Sequence, residues 1–159
     1  MKRLGIFLLL LALTIGLTIA PASADTLTKL DITPYPGFTV NEYLLVMDSG
    51  GTATTDLTYE ITGEILCVET VPGAAAKAPT DAYDLKLEDG LGNDIMGGAL
   101  GDRDTANAER AWPMDGSTTV IYTGVPTKGK LSVARENNVV KDAEVTIRIF
   151  VKNQHRGWR

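Results

Sequence analysis

The sequence predicts an all-β fold, a single domain built as an antiparallel β-sandwich of about seven strands. Three observations carry that expectation. Short stretches alternate apolar and polar residues, most clearly from Ala143 to Lys152, where Val145, Ile147, Ile149 and Val151 share one parity. Clusters of Gly, Pro, Asn and Asp, such as Asp48-Ser49-Gly50-Gly51, separate these stretches. No segment sustains the longer 3.6-residue period that a helical or α/β fold needs.

In chain order, residues 1–24 read as a signal peptide. Lys2 and Arg3 precede an apolar run from Ile6 to Ile19, and Ala22-Ser23-Ala24 places small residues before a cleavage point at Asp25. A retained membrane anchor is the competing reading. Residues 25–38 form an extended lead-in, because Pro34, Pro36 and Gly37 disfavour a helix or a central strand. Leu27, Leu30 and Ile32 could still make an edge strand there.

Residues 39–152 are the sandwich domain. Thr39 to Met47 is its first strand. Thr54 to Val71 is the longest β-prone stretch, with Leu57, Tyr59 and Ile61 on one face. Its apolar parity changes near Gly63, which predicts a bulge or bend there as the strand crosses between sheets. Pro72 to Pro79 is a connection. Tyr83 to Leu87 alternates apolar and polar residues before a turn at Asp89–Asp94 and a returning strand of about four residues. Arg103 to Trp112 could form a short helix capped by Thr105, or an ordered loop. Thr118 to Tyr122 reads as a short strand. Lys128 to Arg135 and Ala143 to Lys152 read as a hairpin. Residues 153–159 are a C-terminal tail, in which Arg156-Gly157-Trp158-Arg159 is either frayed or a docking peptide.

Charge excludes some partners. The leader holds two of the 15 Lys and Arg and none of the 20 Asp and Glu, which leaves 13 against 20, net −7. Such an acidic chain lacks the basic footprint that nucleic acid or an anionic lipid surface needs. After leader cleavage no stable membrane insertion is expected.

Catalytic constellations are scarce. The single histidine, His155, lies in the tail, which argues against Ser-His-Asp or Cys-His chemistry and against zinc. Cys67 is the only cysteine, so no internal disulfide forms, and its apolar neighbours Ile65, Leu66 and Val68 predict a buried thiol. A carboxylate-pair glycosidase lacks a groove of aromatics, since tryptophan occurs only at Trp112 and Trp158. Gly97, Gly98 and Gly101 match no phosphate-binding glycine pattern. No catalytic or cofactor-binding residue is therefore assigned, and a non-enzymatic role is expected. Calcium is the one candidate metal, through Asp89, Asn93, Asp94, Asp102 and Asp104, because hard oxygen ligands on bent loops suit it. The same loops, with Asp89, Asp94, Asp102, Arg103 and Asp104, form the candidate interaction surface.

The run Gly63-Glu64-Ile65-Leu66, then Pro72-Gly73, then APTDAYDLKLEDGLGNDIMGGALGDRDTANAE from Ala78, resembles small proteins encoded in tailed-phage structural gene regions. Lys130-Leu131-Ser132-Val133 and Val145 to Ile149 match the later strands, so the likeness spans about Asp56 to Val151. It implies a β-sandwich with a non-enzymatic structural or assembly role, whose partners are other proteins, copies of itself included. The leader implies export to a periplasmic or extracellular location, and a virion location if the chain is phage-encoded. A secreted binding or adhesion module, with calcium ordering the acidic loops, is the alternative.

Overall fold

A computed structural model describes residues 24–49, 53–56, 60–116, 119–121 and 123–152. The expected signal peptide and C-terminal tail fall outside these residues, apart from Ala24. So do Leu57, Tyr59, His155 and Trp158.

The alternating stretches become antiparallel strands in two sheets that face each other as a sandwich. β1 (Thr26–Tyr35) and β2 (Phe38–Met47) form a hairpin around Pro36-Gly37. There Gly37 supplies the positive φ of +90° that follows proline in a tight turn. β2 pairs with β9 (Ala143–Lys152), and β9 with β4 (Ile61–Pro72). One end of β4 pairs with β6 (Glu109–Ala111), the other with β7 (Val125–Gly129). The second sheet is smaller, with β8 (Ser132–Glu136) between β3 (Ala53–Asp56) and β5 (Asp84–Glu88). Among the described residues this makes a sheet of six strands and a sheet of three, against the seven or so expected.

One parity of each large-sheet strand points to the core. Tyr43, Leu45 and Met47 of β2 meet Ala143, Val145, Ile147 and Ile149 of β9, and Ile61, Ile65 and Val68 of β4. Leu85, Leu87 and Val133 close the core from the small sheet, with Met96 and Leu100 from the loop after β5. Burial of these side chains is the main favourable term.

Several expectations need correction. The lead-in is a full strand: β1 begins at Thr26 and forms the sheet edge, where Pro34 costs no ladder bond. The bulge of β4 lies between Ile65 and Cys67, not at Gly63, and there the buried parity shifts so that Val68 and Thr70 turn inward. Gly63 serves a different need. A Cβ on it would lie 2.6 Å from Val151 Cγ1 and 2.7 Å from the Lys152 carbonyl oxygen. β3, in the small sheet, ends at Asp56, and β4, in the large sheet, begins at Ile61.

The expected hairpin of the last two strands does not form, because β8 joins the small sheet and β9 the centre of the large one. Both strands alternate correctly, but alternation names a buried face and not a neighbour. The connection between them is held by Asn138, which is 1 % exposed. Its amide nitrogen donates to the Asp48 and Val140 carbonyls, and its oxygen accepts the Thr80 and Val140 amides. Residues 103–112 form an ordered loop running into β6, not a helix, since Arg103 bridges to Tyr83 and the Thr105 hydroxyl donates to the Pro79 carbonyl. Within Thr118–Tyr122 the described residues show a single bridge, Val120 to Met114. The strand returning after β5 shrinks to a bridge between Glu88 and Asp94. Among the described residues no helix is long and apolar enough to cross a membrane.

An ion pair clasps the two sheets. Asp25, just before β1, meets Arg135 of β8 through two hydrogen bonds, Nε to Oδ2 at 2.6 Å and Nη2 to Oδ1 at 2.9 Å. The side chains are only 3 % and 2 % exposed, for Arg135 and Asp25 respectively. Asp25 Oδ1 also accepts the Asp48 amide.

Removing one partner of a buried pair strands the other, so Asp25→Ala should cost about 3–5 kcal/mol in urea unfolding. A loss under 1 kcal/mol would show that the pair is replaceable by water. At Gly63, whose φ is +148°, alanine should cost about 1–3 kcal/mol from crowding, measured the same way.

Candidate functional site

The acidic loops are self-contained. Asp89 Oδ1 accepts the amides of Leu91 and Asn93, both at 2.9 Å, and the Asn93 side chain donates to both Asp89 oxygens. Asp94 accepts the amides of Met96 and Gly98. Asp104 accepts the amides of Ala106 and Asn107 and the Asn107 side chain. These are turn caps, the local use to which Asp is suited. Hydrogen bonds from Asn93 hold the Asp89 carboxyl below its ordinary pKa, and those from Asn107 and Ala106 do the same for Asp104. Asp102 takes a left-handed φ of +50°, and its amide donates to Asp84. Arg103 turns to the Gly101 carbonyl and to Glu109. Asp89, Asp94 and Asp104 thus serve their own turns, while Asp102 and Arg103 tie their loop to β5 and β6. Among the described residues no three His, Cys, Asp or Glu side chains come together as a metal-holding group.

The buried titratable groups are structural in character. Burial pushes the Tyr83 phenol up to about 12, outweighing the Thr70 hydroxyl and the Arg103 guanidinium, which act the other way. Burial likewise raises the Cys67 thiol, so the thiolate that reacts is disfavoured.

The built feature lies on the outer face of the large sheet. Residues of the parity opposite to the core line up there across four strands. In the central row Glu42 of β2 stands opposite Arg148 of β9, Arg148 opposite Glu69 of β4, and Glu69 opposite Arg110 of β6. Arg148 Nε lies 2.9 Å from Glu42 Oε2 and its Nη1 3.0 Å from Glu69 Oε2, while Arg110 Nη2 lies 2.8 Å from Glu69 Oε1. Carboxylate and guanidinium therefore alternate along one line. Burial raises the Glu69 pKa, but the hydrogen bonds and charges of Arg148 and Arg110 outweigh it and leave the carboxyl below its ordinary value. The bonds to Glu42 and Glu69 raise the pKa of Arg148.

Uncharged rows flank this line on both sides. Val40, Phe150 and Cys67 stand opposite one another on one side, and Leu44, Thr146 and Val71 on the other. The Arg110 guanidinium carbon sits 4.6 Å from the centre of the Phe150 ring, a cation–π contact. Phe38 packs on Phe150 at 6.1 Å and stacks on Tyr35 at 4.9 Å. Between these aromatics and the charged row runs a shallow groove of about 390 Å³, lined also by Thr33 and Val40.

None of Glu42, Glu69, Arg110 and Arg148 stands out in the sequence, because they are brought together from positions far apart. One signal was available: β2 carries Val40, Leu44 and Val46 on the outward parity as well as apolar residues on the inward one. A strand apolar on both faces lies between two packed layers or presents a contact surface.

Comparison with protein-family models, with curated proteins and with solved structures gives no match.

Because the folded pKa of Glu69 lies below its unfolded value of about 4.3, its stabilising effect is present above that pH and is lost as pH falls through the folded value. Glu69→Gln should therefore lower the urea midpoint at pH 7, and the gap to the native protein should narrow towards pH 3. A gap independent of pH would show that the charge of Glu69 contributes nothing.

Proposed function

We propose that the protein is a non-enzymatic structural or assembly module that works by protein–protein contact through the outer face of its large sheet. One observation carries the reading. A rigid sheet face presents two uncharged rows, and Glu42, Arg148, Glu69 and Arg110 between them are already paired with one another on the face itself. Pairing on the face lowers the cost of covering these charges, and the aromatic and arginine side chains beside one another there are residue types enriched in contact patches. The resemblance to small proteins of tailed-phage structural gene regions supports the assembly role. The leader from Lys2 to Ala24 supports export, so we place the working protein in the periplasm or outside the cell, or in a particle if the chain is phage-encoded. The acidic loops would then keep the module soluble.

Hydroxyl-radical footprinting tests the contact. Tyr35, Phe38 and Phe150 should label readily in dilute purified protein and be protected in the native cells or particles. Equal labelling in both settings would overturn the reading. A melting temperature that rises with calcium, together with equal labelling, would shift the function to a metal-ordered binding module, because a ligand held only by the folded state stabilises it.

A further inference from the structure

We infer that the occupant of this face is a second copy of the same chain, packed sheet on sheet about a two-fold axis that runs parallel to the strands between β9 and β4. The inference rests on the contact-module reading above and names its partner.

The order of charges in the central row carries the argument. Across β2, β9, β4 and β6 it reads Glu42, Arg148, Glu69, Arg110, which is minus, plus, minus, plus. Reversed end for end, the same row reads plus, minus, plus, minus. A two-fold axis along the strands performs that reversal while keeping each row at its own height. Glu42 then faces Arg110 of the other copy, and Arg148 faces Glu69 of the other copy. All four facing pairs are of opposite sign. The end members gain most, since among the described residues Glu42 pairs within one copy with Arg148 alone and Arg110 with Glu69 alone. The same rotation lays each uncharged row on its own copy, so that Phe150 meets Cys67, and Thr146 at the centre of the other row meets Val71.

Charge also decides against other partners. The four facing residues sum to zero, with two carboxylates and two guanidiniums, and Asp31, opposite Glu42 on β1, lies beyond them at the rim, whereas the whole chain carries −5. A polyanion or a basic protein therefore gains no electrostatic advantage here, and two copies repel each other least across this face. Size is adequate. Four strand positions, β2, β9, β4 and the edge shared by β6 and β7, overlap about this axis; spaced ~4.8 Å apart and about ten residues long they present roughly 600 Å², toward the lower end of what specific interfaces take from each partner. Sheets stacked this way keep their strands nearly aligned, as an axis along the strands requires. Association through the β1 edge is blocked instead. β1 carries a register shift between Lys29 and Asp31, Pro34 has no amide hydrogen, and the Asp31 carboxylate occupies the Ile32 amide.

Charge exchange across the face tests the arrangement in protein purified from expression of the full chain. Sedimentation equilibrium from micromolar to millimolar concentration should show a dimer. Glu42→Arg and Arg110→Glu should each weaken it about tenfold or more, and the double exchange should recover most of the loss. Within one copy these two residues sit at opposite ends of the row, and the double exchange breaks both in-plane pairs. Its melting temperature should thus fall about as far as the two single shifts added. Recovery of the dimer can come only from across an interface.

Should the reversed charges prevent folding, Glu42→Gln and Arg110→Gln serve in their place. Together they should cost the dimer little more than either alone. A monomer at all concentrations, a dimer indifferent to the single changes, or strictly additive losses in the double variants would each overturn the two-fold arrangement. Protection of Phe150 in the native setting alongside a purified monomer would leave the contact face standing with a different partner.

Discussion

The ion pair between Asp25 and Arg135 joins residues 110 positions apart and marks where the two sheets are fastened. Among the described residues the small sheet has three strands of four or five residues, extended only by the bridge from Glu88 to Asp94. A sheet of that size is not stable alone, so it must be held against the large sheet by its apolar face and by specific ties. Arg135 is buried because β8 alternates, and its position falls on the inward parity beside Val133. Its charge is tolerable inside because Asp25 meets it with two hydrogen bonds. The same carboxylate accepts the Asp48 amide, and the Asp48 carbonyl in turn accepts Asn138. The start of β1, the end of β2 and the connection from β8 to β9 therefore meet at one corner. With that corner set, β9 is delivered to the middle of the large sheet.

The central position of β9 has consequences on both sides of the sheet. Inward, its alternate residues from Ala143 to Val151 supply the spine of the core. Outward, Arg148 is placed between Glu42 and Glu69, where one guanidinium bridges two strands at once. An arginine suits this position because its planar fork can address two carboxylates in different directions. Inner and outer faces are thus coupled by register. The bulge between Ile65 and Cys67 brings Glu69 to the outer face while Val68 stays in the core.

The acidic loops contribute order and charge rather than a common site. Asp89, Asp94 and Asp104 each cap the amides of their own turn, so each turn is stabilised independently of its neighbours. Acidity on these loops, together with mutually paired charges on the outer sheet face, gives the molecule two kinds of surface. One stays solvated, and the other can be covered at low electrostatic cost.

By itself the sequence determined the class of structure, the place of most strands and the local chemistry of the turns. Those features depend on residues close together in the chain. Alternation declares a strand, proline near a strand end declares an edge, and Asp beside Gly and Asn declares a capped turn. The tertiary structure decided which strands are neighbours. It sent β8 and β9 to different sheets, moved the bulge of β4 from Gly63 to Leu66, and gave Gly63 a role set by Val151 and Lys152. It also assembled Glu42, Glu69, Arg110 and Arg148 into one row. The physical reason is the same in each case. Period-two patterning states which face is buried but says nothing about pairing partners, and a row across a sheet is made of pairings alone.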